Sequence, residues 1–591
     1  MRGGGIVAVK GLGGYHLACD ATNEEAIARL RERKHREGKA FAVMVASEKD
    51  AEALCFVNDA EKRQLTSPAR PIVLLQKRPD VSFAPGLADA LPELGVMLPA
   101  TPVQHLLIHA FNGMLVMTSG NIHDEPIVTD EATAFEKLGS VADAFLVNDR
   151  AIEGRYDDSV LRVLDAGPAG NVIQFVRRAR GYAPLPLDIA TPNQGEHTSG
   201  ELLAVGPEQK NTFTYVRGNQ AFVSQHIGDM ESVAVMDAWN ETRQRYAELF
   251  RLSPNYLVCD YHPEYLTSKW AHDQEMSCVQ VQHHHAHILS IMGENGLEGP
   301  VCGFAFDGTG YGLDGAIWGG EVLLSNLHAF ERFANFAYIP LPGGAAAIKN
   351  PARIAFGALW AFDLLEHPAA QRFVEQTLPD AQTYMQMIER GINSPQTSSV
   401  GRLFDAASAL LGICQKPKYE GEAAILLEAA VHEGIARPDA LKQKAVESYT
   451  GSIHDLEERG AAYRVEVIKN VATEQSTAMD TSVLLLDAAP VFAAMLDDIQ
   501  AGVPTELIAR WFHDAFVAAI ADMAELVRAA YGIELMALGG GVFMNRYLTE
   551  RVLAQLQERG FTVALNKDLP PNDASISYGQ AVLGLQAQTK E

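Results

Sequence analysis

From residue 202 onward an apolar run ending in a glycine- or hydroxyl-rich turn occurs three times, and this recurrence most limits what the chain can fold into. The three are Leu202-Leu203-Ala204-Val205-Gly206 with Lys210-Asn211-Thr212 behind it, Gly303-Phe304-Ala305-Phe306 opening into Asp307-Gly308-Thr309-Gly310-Tyr311-Gly312, and Leu535 to Asn545 with its Gly539-Gly540-Gly541 triplet. Runs of this kind predict strands that hand over to turns, and long helical-period stretches such as Ala489 to Tyr531 separate them. Two α/β halves around a cleft accommodate that order. A solenoid does not, because no short repeat is present.

The preceding section is also mixed α/β. Strand-like runs at Ile6 to Val9, Phe41 to Val45, Pro71 to Leu75 and Met114 to Thr118 alternate with helical-period segments at Asn23 to Arg36 and Asp130 to Leu138. Between the two sections lies Thr191 to Gly200, polar and without periodicity, which predicts a linker. At 591 residues, with 47% hydrophobic and 21% charged positions, the chain can bury several cores. A formal charge of −26 argues against nucleic acid or a membrane as the partner of the whole surface. No run approaches the roughly 18 apolar residues of a membrane span, and the amino terminus has no signal-peptide core. The six cysteines form no C-x-x-C pair, so a reducing, cytoplasmic setting is expected. That terminus passes directly into strand, as though the chain were entered partway through a longer design.

The densest chemical signal is Gln282-His283-His284-His285-Ala286-His287. On a helix His283 and His287 share one face, the spacing two imidazoles need to hold one metal. A patch of surface histidines is the alternative. Two imidazoles leave a coordination sphere incomplete, so carboxylates should arrive from elsewhere, and Asp307 and Asp573 are the candidates. Asp307 ends an apolar strand beside glycines whose N–H groups can approach a phosphate. Asp573 follows Pro570-Pro571-Asn572 at the start of a helix, where an N-cap is the competing role. The three turns together suggest a nucleotide clasp. In the first section Arg29, Arg31, Arg33, Lys34, His35, Arg36 and Lys39 form a basic cluster, either a solvated helix face or a phosphate-neutralising one, and Thr118-Ser119-Gly120-Asn121 offers hydroxyl and amide groups at a turn.

These segments also resemble known proteins. Lys10 to Ala21 (KGLGGYHLACDA), Lys34-His35-Arg36 with Lys39, Ser119-Gly120-Asn121 and Arg155-Tyr156-Asp157-Asp158-Ser159-Val160 resemble a YrdC-type domain. The remainder, with His283 and His287 as its H-x-x-x-H motif, resembles the carbamoyl-transferring ATPase fold related to actin and sugar kinases. Arg178 to Tyr182, Gly401 to Ala406 and Tyr419 to Ala423 are further family-like strings. In this order the whole resembles the HypF family of hydrogenase-maturation carbamoyltransferases. The resemblance implies an α/β chain with a YrdC-like carbamate-adenylating domain at 1–188, a linker at 189–200, and a two-lobed, actin-like (ASKHA) carbamoyltransferase domain at 201–591.

It further implies that carbamoyl phosphate is converted to carbamate, that carbamate is adenylated by ATP with Mg2+, and that the carbamoyl group passes to the C-terminal cysteine of HypE on its way to cyanide. Lys34, Arg36, Ser119 and Asn121, with Lys39, Lys10 and Arg178, would serve the first nucleotide. Lys210, Asn211, Gly308, Thr309, Gly310, Gly539, Gly540, Gly541 and Asn545 would serve the second. His283, His287, Asp307 and Asp573 would hold one divalent metal, iron, zinc or manganese. No residue is assigned to deprotonating the acceptor thiol. The family's acylphosphatase domain and C-x-x-C zinc modules are not in the sequence, so a truncated or split HypF is expected, one needing carbamate or a separate acylphosphatase. Ala40, Ala345 and Ala574-Ser575 depart from the family's usual residues. Three alternatives have their own signatures. Threonylcarbamoyl transfer to tRNA calls for a basic face, antibiotic O-carbamoyltransferases carry the two domains in the opposite order, and a nonenzymatic HypE scaffold would have no need of all four metal ligands.

Overall fold

The computed structural model describes residues 1–122, 125–167, 170–189, 200–438, 459–469 and 482–588. Apart from Ile189 and Gly200, the linker expected over 189–200 lies outside the described residues.

Nine strands form the first sheet: β1 (Val7–Lys10), β2 (Tyr15–Asp20), β3 (Ala42–Met44), β4 (Ile72–Gln76), β5 (Glu93–Met97), β6 (Leu115–Ser119), β7 (Ala144–Leu146), β8 (Val160–Asp165) and β9 (Asn171–Arg177), ordered β7-β1-β2-β6-β3-β5-β4-β8-β9. The helix Glu24–Lys34 packs on it through Ala26, Ile27 and Leu30. Its polarity is written in its ends: Asn23 caps the Ala26 N–H, Glu24 and Glu25 occupy the first turn, and Arg31, Arg33 and Lys34 the last. Lys34 therefore leaves the helix pointing toward the end of β6, where Ser119 stands.

The second sheet contains β10 (Leu187–Asp188), β11 (Glu201–Ala204), β12 (Thr214–Arg217), β13 (Gln220–Val223), β14 (Tyr256–Asp260) and β15 (Ser277–Val281). The third contains β16 (Val301–Tyr311), β17 (Ile317–Ser325), β18 (Phe330–Phe336), the short β19 (Ile339–Pro340) and β20 (Gln396–Thr397), β21 (Glu466–Lys469), β22 (Leu484–Asp487), β23 (Leu535–Gly539) and β24 (Thr562–Ala564). Within them one arrangement occurs twice. β11, β12 and β13 form an antiparallel meander, with β14 and then β15 added parallel on the β11 side. β16, β17 and β18 form the same meander, with β23 and β24 added parallel beside β16. These are the two α/β halves that the strand-and-turn recurrence predicts.

Each half sends a helix from its last parallel strand into the middle of the molecule, His283–Asn295 after β15 and Ile576–Gln588 after β24. The two helices pack against each other in one shared core with Ala286, Ile288, Ala581 and Val582. Gly579 makes their approach possible, because a Cβ there would come within 1.9 Å of the Ala286 carbonyl oxygen. Backbone on backbone leaves no side chain to yield. Gly579→Ala is expected to lower thermal stability by the equivalent of about 1–3 kcal/mol, or more if neither helix shifts, as scanning calorimetry would read. A melting temperature unchanged from the parent chain would contradict this crossing.

The helical stretch Ala489 to Tyr531 is two helices, Ala489–Ala501 and Thr505–Tyr531. Gly502 adopts φ 74° and caps the first, and Pro504 precedes the second, so the chain turns where helical periodicity alone reads through. Among the described residues no helix is long and apolar enough to cross a membrane.

Candidate functional site

The two central helices begin face to face, and the metal-ligand candidates gather at that junction. Gln282 caps the first helix by accepting from the His285 N–H, which places His283 and His287 on successive turns. Asn572 caps the short turn Asp573–Ser575 leading into the second helix. Asp307 lies on β16 within its register shift between Phe306 and Gly310. The result is one buried group in which ligand atoms of His283, His287, Asp307 and Asp573 lie within 4.8 Å of one another. His283 Nε2 is 3.5 Å from Asp307 and 3.9 Å from Asp573, and His287 Nε2 is 3.6 and 3.8 Å from the same two carboxylates.

Neither Nε2 atom has a hydrogen-bond partner, although both are fully buried. Orphaned imidazole nitrogens converging with two carboxylates fit a divalent cation in donor type and in number. Burial opposes ionisation of Asp307, yet the His283 and His287 imidazoles beside it hold its carboxyl well below the usual range. Burial and the Asp307 charge together push Asp573 up to about 8.

Asp260, which the sequence reading did not single out, sits behind this group. Its carboxylate is 2.9 Å from His283 Nδ1 and is itself fully buried. An imidazole that donates from Nδ1 to a carboxylate keeps its Nε2 lone pair for the metal and gains basicity. Asp260→Asn is expected to weaken divalent-metal affinity about 10–100-fold, read by chelator competition. Affinity equal to that of the parent chain would show that Asp260 merely fills space.

The three turns converge on the same place. Gly541 N–H donates to Asp307 at 2.9 Å. Gly540 adopts φ 100°, and a Cβ on it would lie 2.2 Å from the Phe306 carbonyl, so only glycine fits between Gly539 and Gly541. Gly308 and Thr309 continue β16 through the register shift to Gly310, which lies against the His283 and His284 rings. Thr212, at the end of the first turn, donates to Ala574 O at 2.9 Å. Lys210 reaches over to Glu420 at 2.9 Å, and the carboxylates around it hold its ammonium above the usual range. Two candidates face inward instead. Asn211 is fully buried and holds its own turn through Val205 O and Pro207 O, and Asn545 caps the helix Arg546–Glu558 while its amide lies 2.9 Å from His513.

A second candidate site lies at the edge of the first sheet. Lys34 is 3% exposed, and its ammonium donates to Ser119 O, Asn121 O and Asn121 Oδ1 at 2.6–2.7 Å. Burial, with Arg36 beside it, pushes this ammonium down to about 7, against the pull of Asp157. Burial and Arg31 bring Arg36 down to about 10. Lys34, Arg36, Lys39, Ser119 and Asn121 line a cavity of about 260 Å³, and Arg36, Ser119, Asp157 and Arg177 also line an adjoining one of about 190 Å³.

Other cations of the basic cluster bind protein, and Arg33 pairs also with Asp143 at 2.8 Å. Arg29 donates to Gly4 O, Arg31 to Gly86 O and Arg33 to Val141 O. Lys10 donates to Asn148 O, and Arg178 spends its guanidinium on Tyr182 O, Leu185 O and Val223 O, so neither reaches these cavities. The far wall of the larger cavity comes from both α/β halves that follow the first sheet: His226 to Asp229 from one, Lys418 and Tyr419 from the other. Tyr419 thus faces the Lys34 cavity while its neighbour Glu420 pairs with Lys210 near Asp573.

Comparison with known proteins agrees with this two-part construction. Family models match residues 1–179 ("Telomere recombination", the Sua5/YciO/YrdC type), 197–294 ("HypF Kae1-like domain") and 303–580 ("Carbamoyltransferase, Kae1-like Domain, second subdomain"). The carbamoyltransferase HypF2 of Cupriavidus necator is 39% identical over 99% of this chain and 72% of its own length. The carbamoyltransferase HypF of Synechocystis is 36% identical over 100% of this chain and 72% of its own length. Among solved structures, full-length HypF in its phosphate- and nucleotide-bound form superposes with a TM-score of 0.88 at 39% identity, covering 100% of this chain and 85% of that one. HypF of T. kodakarensis gives 0.84 at 32%, covering 99% of this chain and 72% of that one. With the match running through the YrdC-type sheet, both α/β halves and the histidine-carboxylate group, the chain belongs to the HypF family of carbamoyltransferases.

Proposed function

We propose that residues 1–188 activate carbamate with ATP and Mg2+, and that residues 201–591, joined by a linker at 189–200, pass the carbamoyl group to the C-terminal cysteine of HypE in the cytoplasm. The product would feed cyanide-ligand synthesis for NiFe hydrogenase. The observation that carries this reading is the presence on one chain of two differently built sites, a mixed-charge cavity into which Lys34, Arg36, Lys39 and Arg177 converge and a buried group of four metal ligands.

In the first site a carbamate oxygen attacks the α-phosphorus of ATP. The new P–O bond forms as the bond to pyrophosphate breaks, and pyrophosphate carries the charge away. The buried Lys34 and the half-buried Arg36 offset the phosphate charge, Lys34 from a setting where water screens it little. Ser119 and Asn121 keep the Lys34 ammonium in place through the three hydrogen bonds it donates. In the second site the acceptor thiolate attacks the carbamoyl carbon, and AMP departs with the electrons of the broken C–O bond. His283, His287, Asp307 and Asp573 would hold iron, zinc or manganese there, which as a Lewis acid supplies positive charge to phosphate oxygens. Asp260 fixes the His283 ring. The side-chain-free backbone of the Gly539 to Gly541 turn, and Gly308 to Gly310 opposite, form the wall against which the nucleotide lies.

Pyrophosphate release from ATP tests the proposal directly, with carbamate from ammonium bicarbonate, carbamoyl phosphate, and threonine with bicarbonate as separate arms. Release with carbamate, followed by S-carbamoylation of added HypE, is the expected result. Release with threonine alone would transfer the assignment to threonylcarbamoyl chemistry, and no release by folded, ATP-bound protein would overturn the enzymatic proposal.

A further inference from the structure

Five of the six cysteines, Cys19, Cys55, Cys259, Cys302 and Cys414, are buried, and Cys278 is the half-buried exception. Cys278 and Cys259 stand on adjacent parallel strands. Cys278 is in register with Leu257 and so lies diagonally across from Cys259 on one face of the sheet. Their sulfurs are 3.4 Å apart, and His272 Nε2 is 3.9 Å from Cys259 Sγ. The neighbouring Cys259 thiol holds the Cys278 pKa below its usual value, against the opposing effect of burial. Gln280 Nε2 lies 3.5 Å from the same His272 nitrogen, which leaves that nitrogen as an acceptor when the amide donates. Nothing in the proposed transfer uses this pair.

We infer that Cys259 and Cys278 are a site of reversible disulfide formation by hydroperoxides, and that closing the bond loosens the metal centre on the other face of the strand. The Cys278 thiolate attacks the distal peroxide oxygen. The O–O bond breaks, the alkoxide or hydroxide takes a proton, and Cys278 becomes a sulfenic acid. Cys259 sulfur then attacks Cys278 Sγ, hydroxide leaves from the S–O bond as water, and His272 is placed to take the Cys259 proton. Two thiols are oxidised, and one hydroperoxide is reduced to water and an alcohol, or to two waters.

The coupling follows from strand geometry. Asp260 is the residue after Cys259, and alternation turns its carboxylate to the opposite face, where it braces His283 at 2.9 Å. Drawing the sulfurs from 3.4 Å to a bond of about 2.0 Å moves the end of β14 that carries Asp260. Loss of such a brace weakens a metal site about 10–100-fold. This half of the inference rests on the reading of the four-ligand group as a metal centre.

The test uses the full chain, reduced and metal-free, exposed to one equivalent of hydrogen peroxide, then alkylated and digested without reductant. A linked peptide pair joining Cys259 and Cys278 is expected, together with a zinc dissociation constant at least about tenfold weaker, both reversed by dithiothreitol. Cys278→Ser should show neither change while its zinc affinity in the absence of peroxide matches that of the parent chain. Cys278 recovered as sulfinate with Cys259 still reduced would overturn the disulfide. A disulfide with unaltered zinc affinity would overturn the coupling. Failure of the reduced chain to bind zinc, manganese or ferrous iron would instead overturn the metal reading and the coupling with it, and the peptide map alone would then decide the disulfide.

Discussion

Replacing His287 with alanine is expected to reduce carbamoyl transfer to HypE by about 10³-fold or more, while carbamate-dependent pyrophosphate release stays within about twofold of the parent chain. The magnitude follows from removing one of four ligands around a cation asked to contribute several kcal/mol, each 1.36 kcal/mol being about a factor of ten. His287 is the better choice of the two imidazoles, because His283 is also tied to Asp260 and its loss would strand a buried carboxylate. Its Nδ1 and Nε2 have no protein partner, so the substitution leaves no protein hydrogen bond broken at the ring. His287→Gln, which retains much of the volume, should show the same split between the two half-reactions. The two products are measured separately, pyrophosphate by coupled assay and acceptor carbamoylation by intact-protein mass. A parallel loss of both activities would mean that the histidine-carboxylate group serves adenylation too, and the assignment of one step to each site would fail.

This separability has a structural basis. The first cavity is built on β6 and the end of the helix Glu24–Lys34, whereas the metal group hangs from β16 and the two central helices. Among the described residues neither Lys34 nor His287 hydrogen-bonds across the junction of the two parts. The parts meet at the wall of the first cavity, through His226 to Asp229 and Tyr419, and in polar pairs away from both centres. Arg546 pairs with Glu93 at 2.7 Å, and Gln174 donates to Phe543 O at 2.9 Å. A side chain lost at one centre therefore leaves the other's supports in place.

What the sequence made legible depended on whether the signal was local. His283 and His287 are readable because helical spacing alone puts them on one face, and Asp307 because an acid at a strand end before glycines is a local pattern. Asp260 carries a weaker form of that pattern, an apolar Tyr256 to Cys259 run ending in an acid, but no glycine follows to mark it. His226 has no local mark, and Tyr419 is marked only as the start of the family-like string Tyr419 to Ala423, with nothing there to tie it to the first cavity. They reach the first cavity only because the part of the chain beyond residue 200 folds over it, a relation that no periodicity encodes. Lys10, Arg178 and Asn545 show the converse difficulty. A cation or amide inside a motif can face a phosphate or a backbone carbonyl with the same donors, and these three bond to protein. The double α/β arrangement was visible as recurring strand-and-turn units, but its identical strand order appears only once the ladders are paired.

Lys34→Met should have the complementary effect, lowering carbamate-dependent pyrophosphate release about 10²–10³-fold and leaving divalent-metal affinity at the second site unchanged. Lys34 is the hub of the first site, since one buried ammonium satisfies three acceptors from Ser119 and Asn121. Its pKa of about 7, against an ordinary lysine value of 10.5, adds a pH signature. With the folded value below the unfolded one, the unfolded chain binds more protons between those limits. The burden of burying this charge is then fully present below about pH 7 and is relieved as pH rises toward 10.5. Phosphate oxygens placed beside the ammonium favour its charged form, so ATP binding above pH 7 must draw in a proton. The KM for ATP in pyrophosphate release is expected to rise with pH between about pH 7 and pH 9, by at most about tenfold per unit. In Lys34→Met that rise should be absent even though residual activity is low. A parent chain whose KM is flat across this range would show that Lys34 stays charged throughout. Loss of metal affinity in the variant would show that the two sites share their supports.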